Sequence, residues 1–127
     1  MTLAIGVGCR KNCPGGAIET LIRRAILRAG CAEAPAAIYA HAAKNGEPGL
    51  FIAAERLGLP LVFLPPQLLQ EASPRAETRS VKVEALFGLP SLAETAALAG
   101  AGAGSRLVLA RISAAGASCA IASTDPQ

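Results

Sequence analysis

The chain has 127 residues, of which 52% are hydrophobic and 17% charged, and a net charge of +3. This suits one domain with a real core and excludes a disordered, charge-rich chain. No uninterrupted apolar run approaches the ~20 residues of a membrane-spanning helix, and with no Trp, one Tyr and three Phe a base-stacking platform for nucleic acid is hard to build.

Residues 3–16 read LAIGVGCRKNCPGG. An apolar run, Leu3-Ala4-Ile5, precedes Gly6 and Gly8, the cations Arg10 and Lys11, and Pro14-Gly15-Gly16, which is the order strand, glycine-rich turn, helix. Gly6–Asn12 is expected to be a turn whose N–H groups lie beside a helix N-terminus, a place that favours a carboxylate or phosphate. Residues 1–30 hold Arg10, Lys11, Arg23, Arg24 and Arg28 against Glu19, a local balance of +4, which attracts an acidic ligand. The nucleotide fingerprints do not fit. G-x-G-x-x-G needs glycine where Lys11 stands, and G-x-x-x-x-G-K-[ST] does not occur. A turn in which the glycines serve only backbone geometry accounts for the same residues equally well. The start lacks the charged and apolar regions of a signal peptide, so a cytoplasmic location is expected.

Cys9, Cys13, Cys31 and Cys119 are expected to be reduced thiols. The spacing of Cys9 and Cys13 is not C-x-x-C and no second close pair exists, so no metal site is expected. Cys31 and Cys119 read as small buried hydrophobes. Cys9, in an electropositive turn, is a candidate nucleophile whose pKa the turn would lower. His41, the one histidine, ends an apolar run and reads as structural.

The stripe Ile18, Leu21, Ile22, Ala25, Ile26, Ala29 predicts a helix over Pro14–Ala29, with Pro14 in its first turn and Gly30 ending it. Ala36–Ala40 is a short buried strand. Pro48 opens a helix through Leu57 that Gly58 ends. Leu61–Leu64 is a third buried strand, Pro65-Pro66 breaks it, and Gln67–Ala72 forms a short helix. Ser73–Ser80 is polar and expected to be mobile. Val81–Phe87 fits a strand at its start and a helix at its end. Ser91-Leu92-Ala93-Glu94 is a capping-box pattern opening a helix over Leu92–Ala99, and Gly100–Gly104 is a flexible turn. Arg106–Arg111 and Ser118–Ala122 are strands of an antiparallel hairpin across Ser113–Ala117. The fold class is therefore α/β: a three-layer α/β/α single domain with a mixed, mainly parallel sheet and an antiparallel C-terminal hairpin. Ligands of such folds bind beyond the carboxyl ends of the parallel strands, so Gly6–Asn12 and His41–Glu47 should share one rim.

Three segments occur in order: GVGCRK at 6–11, K-x-x-EPGL at 44–50 and G-x-P-S-x-A-E-x-A-A-L at 88–98, followed by CAIA at 119–122. Together they resemble the family formed by the C-terminal domain of the cobalamin-biosynthesis protein CbiG and its stand-alone relative CobE, over about residues 3–122. The length matches the single-domain type. Cys13-Pro14 stands where the family tends to carry small polar residues. Arg111 stands where it often carries Lys, which keeps the charge and changes the geometry.

The resemblance implies a protein of vitamin B12 synthesis that binds a carboxylate-rich corrin or precorrin intermediate, as carrier or accessory factor of the aerobic branch. The alternative it implies is a hydrolase of the cobalt-precorrin-5A type, opening a lactone with release of acetaldehyde. A third reading is a non-catalytic module for another cobalamin-pathway enzyme. Nucleic acid, membrane, metal and cofactor are not expected partners. The expected substrate-binding residues are Gly6, Gly8, Cys9, Arg10, Lys11, Lys44, Glu47, Ser91 and Glu94, with Cys9 and Glu47 the catalytic candidates. Two of these groups have plain alternatives: Glu47 as the ion-pair partner of Lys44, and Ser91 with Glu94 as a capping box only.

Overall fold

The computed structural model describes residues 2–124. In chain order the elements are β1 (Leu3–Cys9), α1 (Gly15–Ala29), β2 (Ala37–His41), α2 (Pro48–Leu57), β3 (Leu61–Leu64), α3 (Pro66–Ala72), α4 (Val81–Phe87), α5 (Leu92–Ala101), β4 (Arg106–Ala114) and β5 (Ala117–Ser123), with short 3-10 turns at Ala42–Lys44 and Ser73–Arg75. One sheet runs in the order β3-β2-β1-β5-β4. β1 pairs in parallel with β2, and β2 with β3. β5 lies antiparallel to both β1 and β4. The sheet is mixed as expected, and its antiparallel part includes the β1–β5 pairing as well as the hairpin.

Strand alternation sorts β1 onto two cores. Leu3, Ile5, Val7 and Cys9 join Ile18, Leu21 and Ile22 of α1 and Leu50 and Ala53 of α2. Ala4 joins Ala93, Ala97 and Leu98 of α5 on the other face. Leu69 of α3 packs behind α5 with Leu89, Leu92 and Ala96. α5 is therefore enclosed between sheet and outer cover, and every residue from Leu92 to Leu98 is buried.

This packing corrects the expected turn at Gly6–Asn12. Gly6 and Gly8 belong to β1, and the turn begins at Arg10. The glycines admit α5: a Cβ on Gly6 would lie 2.0 Å from the Ala93 carbonyl oxygen, and one on Gly8 3.1 Å from Leu92 Cβ. The first helix starts at Gly15 with Pro14 just outside it, and Gly30 ends it. The helix over Pro48–Leu57 lies where the sequence places it. β3 is only partly buried because it forms the sheet edge. α5 runs through Ala101, and the turn expected at Gly100–Gly104 begins only at Gly102; Gly100 lies inside the helix, where the Tyr39 ring occupies the space a side chain would fill.

The 73–80 segment, expected to be mobile, is tied at both ends. Arg75 Nη1 donates to the carbonyl and hydroxyl oxygens of Ser105, and Ser80 N donates to Pro90 O at 2.9 Å. The ambiguous Val81–Phe87 is a helix, started by Ser80 Oγ accepting from Val83 N. The hairpin is tighter than Ser113–Ala117: Ala115 and Gly116, with φ of 54° and 86°, form a two-residue turn, as the twist of paired strands favours.

Gly6→Ala is expected to destabilise the protein by about 3 kcal/mol or more, because the intruding methyl meets backbone. Gly46→Ala, with open space at its Cβ, should stay within about 0.5 kcal/mol of wild type. Urea unfolding of the two variants checks both.

Candidate functional site

The carboxyl ends of β1 and β2 adjoin, and the turns after them meet: Asn12 N donates to Glu47 Oε1 at 2.7 Å. Beside this rim, on the face that carries α5, lies a cavity of about 870 Å³. Gly8 and Cys9 close its base with Ser113 and Ser118 of the hairpin, and Leu92 brings in the first turn of α5. Val83, Leu86 and Phe87 of α4 form an apolar wall, on which Leu86 remains 67% exposed. Arg10, Lys11, Lys44, Lys82 and Arg111 bring five cations to the lining, which includes no Asp or Glu. An apolar-walled cleft lined by one sign of charge concentrates the field on an anionic ligand.

Three of the five cations have a visible support. The Arg10 backbone N–H donates to Gly116 O at 2.9 Å, and its side chain lies over Gly116 so closely that a Cβ there would meet Arg10 Nε at 2.5 Å. Lys44 Nζ sits 5.7 Å from the centroid of the Phe87 ring, within range of a cation–π contact. Arg111 lies where β4 bulges, between Leu109 and Ile112, and bulges re-aim side chains beside sites. His41 is structural, as its sequence setting implied. Its Nδ1 accepts from Ala43 N at 2.9 Å, its ring lies 5.1 Å from that of Phe87, and burial, with Lys44 beside it, lowers its pKa below the ordinary 6.5.

Of the nine expected site residues, Gly8, Cys9, Arg10, Lys11 and Lys44 line the cavity and four do not. Gly6 lies beneath α5. Glu47 accepts from the Asn12 amide, so the expected ion pair with Lys44 gives way to a backbone hydrogen bond. Ser91 is buried and its Oγ accepts from Glu94 N at 3.1 Å. Glu94 is 0% exposed. It does not complete the capping box, because its carboxylate accepts instead from the amides of Glu77, Thr78 and Arg111, each at 2.9 Å. The proposed activation of Cys9 is also corrected: burial pushes its thiol up to about 11, outweighing the opposing effect of Lys44. Lys82, Phe87, Ser113 and Ser118 also line the cavity, and the sequence did not mark them. The helix that would have placed Lys82 and Phe87 was ambiguous, and the serines carry no motif.

Among the described residues, no group of three or more His, Cys, Asp or Glu is placed to hold a metal ion. No helix among them is long and apolar enough to cross a membrane.

A five-stranded mixed sheet with a cationic cavity at its rim defines the class, and comparison with known proteins gives the family. The family model described as cobalamin synthesis G C-terminus matches residues 3–122, and the chain belongs to that family. It is a protein of cobalamin biosynthesis. The chain is 32% identical over 121 residues to protein CobE from Sinorhizobium sp, covering 94% of this chain and 79% of that one. It superposes with a TM-score of 0.86 on the crystal structure of CobE, a protein from the cobalamin (vitamin B12) biosynthetic pathway, at 35% identity over 95% of this chain and 89% of that one. It matches the crystal structure of cobalamin biosynthesis protein chiG from Agrobacterium tumefaciens str. C58 with a TM-score of 0.76 at 30% identity, covering 98% and 99% of the two chains.

Two outcomes follow from the site chemistry. Cys9, Cys13 and Cys119 are buried and Cys31 is partly exposed, so a neutral-pH alkylating agent should label Cys31 first, as mass mapping would show. His41 binds its proton more weakly in the folded chain than in the unfolded one. Its contribution is therefore complete above pH 6.5 and is lost as pH falls through the lowered folded value. Chemical unfolding at stepped pH should show less loss below pH 6.5 in His41→Asn, which retains an acceptor for Ala43 N.

Proposed function

We propose that the chain binds a carboxylate-fringed corrin or precorrin intermediate in the rim cavity and acts as a carrier or accessory factor. The observation that carries this reading is five cations, unaccompanied by a carboxylate in the lining, around an apolar wall. A corrinoid is a flat apolar ring with acidic side chains. Val83, Leu86 and Phe87 suit the ring, and Arg10, Lys11, Lys44, Lys82 and Arg111 suit the fringe. Arg10 and Arg111 can take a carboxylate through two parallel hydrogen bonds, whereas the lysines act as point charges.

The carrier reading is favoured over lactone hydrolysis by the state of both catalytic candidates. With its pKa near 11, Cys9 is a thiol at neutral pH, and the thiolate is the nucleophile. Glu47 already accepts the Asn12 amide and lies outside the cavity lining. A general base must reach the proton it removes, directly or through one water.

The test is a titration with cobyrinic acid, a corrin with free side-chain carboxylates, followed by absorbance or calorimetry. Its neutral methyl ester is the control. Arg10→Ala should cost about 1.5–3 kcal/mol, roughly a tenfold to hundredfold loss of affinity. Arg28→Ala, in the last turn of α1 and outside the cavity lining, should bind like wild type. Added salt should weaken acid binding. Equal losses in the two variants would indicate general charge attraction in place of a site.

A further inference from the structure

Glu94 is a carboxylate enclosed within α5, where an unpaired charge is costly. It never reaches the cavity, yet its two oxygens touch the two segments that deliver cations there. Oε2 accepts from the Arg111 amide at 2.9 Å. That amide belongs to the bulge of β4, where the regular pairing with β5 shifts between Leu109 and Ile112. Oε1 accepts from the amides of Glu77 and Thr78, each at 2.9 Å. These lead directly into Ser80, which caps α4, the helix that carries Lys82. Lys82 and Arg111 both line the cavity.

We infer that Glu94 is a positioning residue for the anion site, holding the Arg111 bulge and the segment before Lys82 through three backbone hydrogen bonds. This rests on the cavity's being the ligand site, and it assigns Glu94 the role of fixing where two of the five cations sit. A carboxylate is required because both oxygens must accept. In glutamine one of the two positions becomes an NH₂ donor facing an N–H donor, so one arm of the brace is lost at nearly unchanged volume. The anchor lies within a helix packed directly on strand backbone, so the brace is referenced to the sheet.

The first measurement needs no ligand. In Glu94→Gln, amide hydrogen exchange should accelerate at Glu77 and Thr78 or at Arg111, while amides of α1 keep their protection. The second is a coupling test at a temperature where every variant is folded, using two probes, cobyrinic acid and citrate. Glu94→Gln should weaken binding about tenfold in the wild-type background, the effect of misplacing a charge-assisted contact. It should weaken binding less than about twofold in the Lys82→Ala, Arg111→Ala background. A merely structural role would lower the melting temperature in both backgrounds without this difference. Should Glu94→Gln fail to fold, Glu94→Asp, which keeps both acceptors and shortens the reach, is run through the same cycle with the same expectation. Equal losses in both backgrounds, or unchanged binding by a folded Glu94 variant, would overturn the inference. Citrate binding without cobyrinic acid binding would contradict the corrinoid reading while leaving the Glu94 test intact. Binding of neither probe would overturn both.

Discussion

The approach of helix α5 to the backbone of β1 is the constraint on which the rest of this structure depends. Two strand positions without a side chain, Gly6 and Gly8, let the helix settle where a Cβ would collide with Ala93 O or Leu92 Cβ. Alanines at 93 and 97 keep the helix side of the contact thin. With α5 this deep, its first turn opens at the rim of the sheet and Glu94 is fully enclosed. A helix one side chain farther out would carry Glu94 away from the amides of Glu77, Thr78 and Arg111, and would leave no base for the cavity at Gly8.

The cavity is assembled from parts distant in sequence. The β1 turn gives Arg10 and Lys11, the turn after β2 gives Lys44, α4 gives Lys82 and the bulged β4 gives Arg111. Like charges gathered in this way repel one another, and the arrangement is sustained by contacts that hold them in place: Arg10 over Gly116, Lys44 over the Phe87 ring and the Arg111 amide on the Glu94 carboxylate. The negative charge that a ligand supplies would relieve that repulsion.

Much of this was legible in the sequence where local rules act alone. The helical stripe of Ile18, Leu21, Ile22 and Ala25 and the Pro48 and Gly58 boundaries were read correctly, because they depend on period and punctuation. So was the sharing of one rim by the β1 and β2 turns, which follows from topology. Long-range contacts decided what was misread. Gly6 and Gly8 looked like turn residues, since the helix they accommodate is more than 80 residues away in sequence. Glu94 looked like half of a capping box because the amides it takes belong to other elements. Cys9 looked activated from its neighbours in sequence, and only burial shows that its proton is held. Lys82 and Phe87 waited on the fate of Val81–Phe87, whose short pattern suits either structure and is settled by Ser80 and by packing against His41.

The central claim is that an acidic macrocycle occupies the space between the end of β1, helix α4 and the β4–β5 hairpin. The direct measurement is an amide-correlation NMR titration with cobyrinic acid. The account predicts the largest shifts at Gly8–Lys11, Lys44, Lys82–Phe87 and Arg111–Gly116, with the α1 amides from Arg24 to Gly30 unmoved. Shifts concentrated on α1, or spread evenly over every exposed cation, would contradict it.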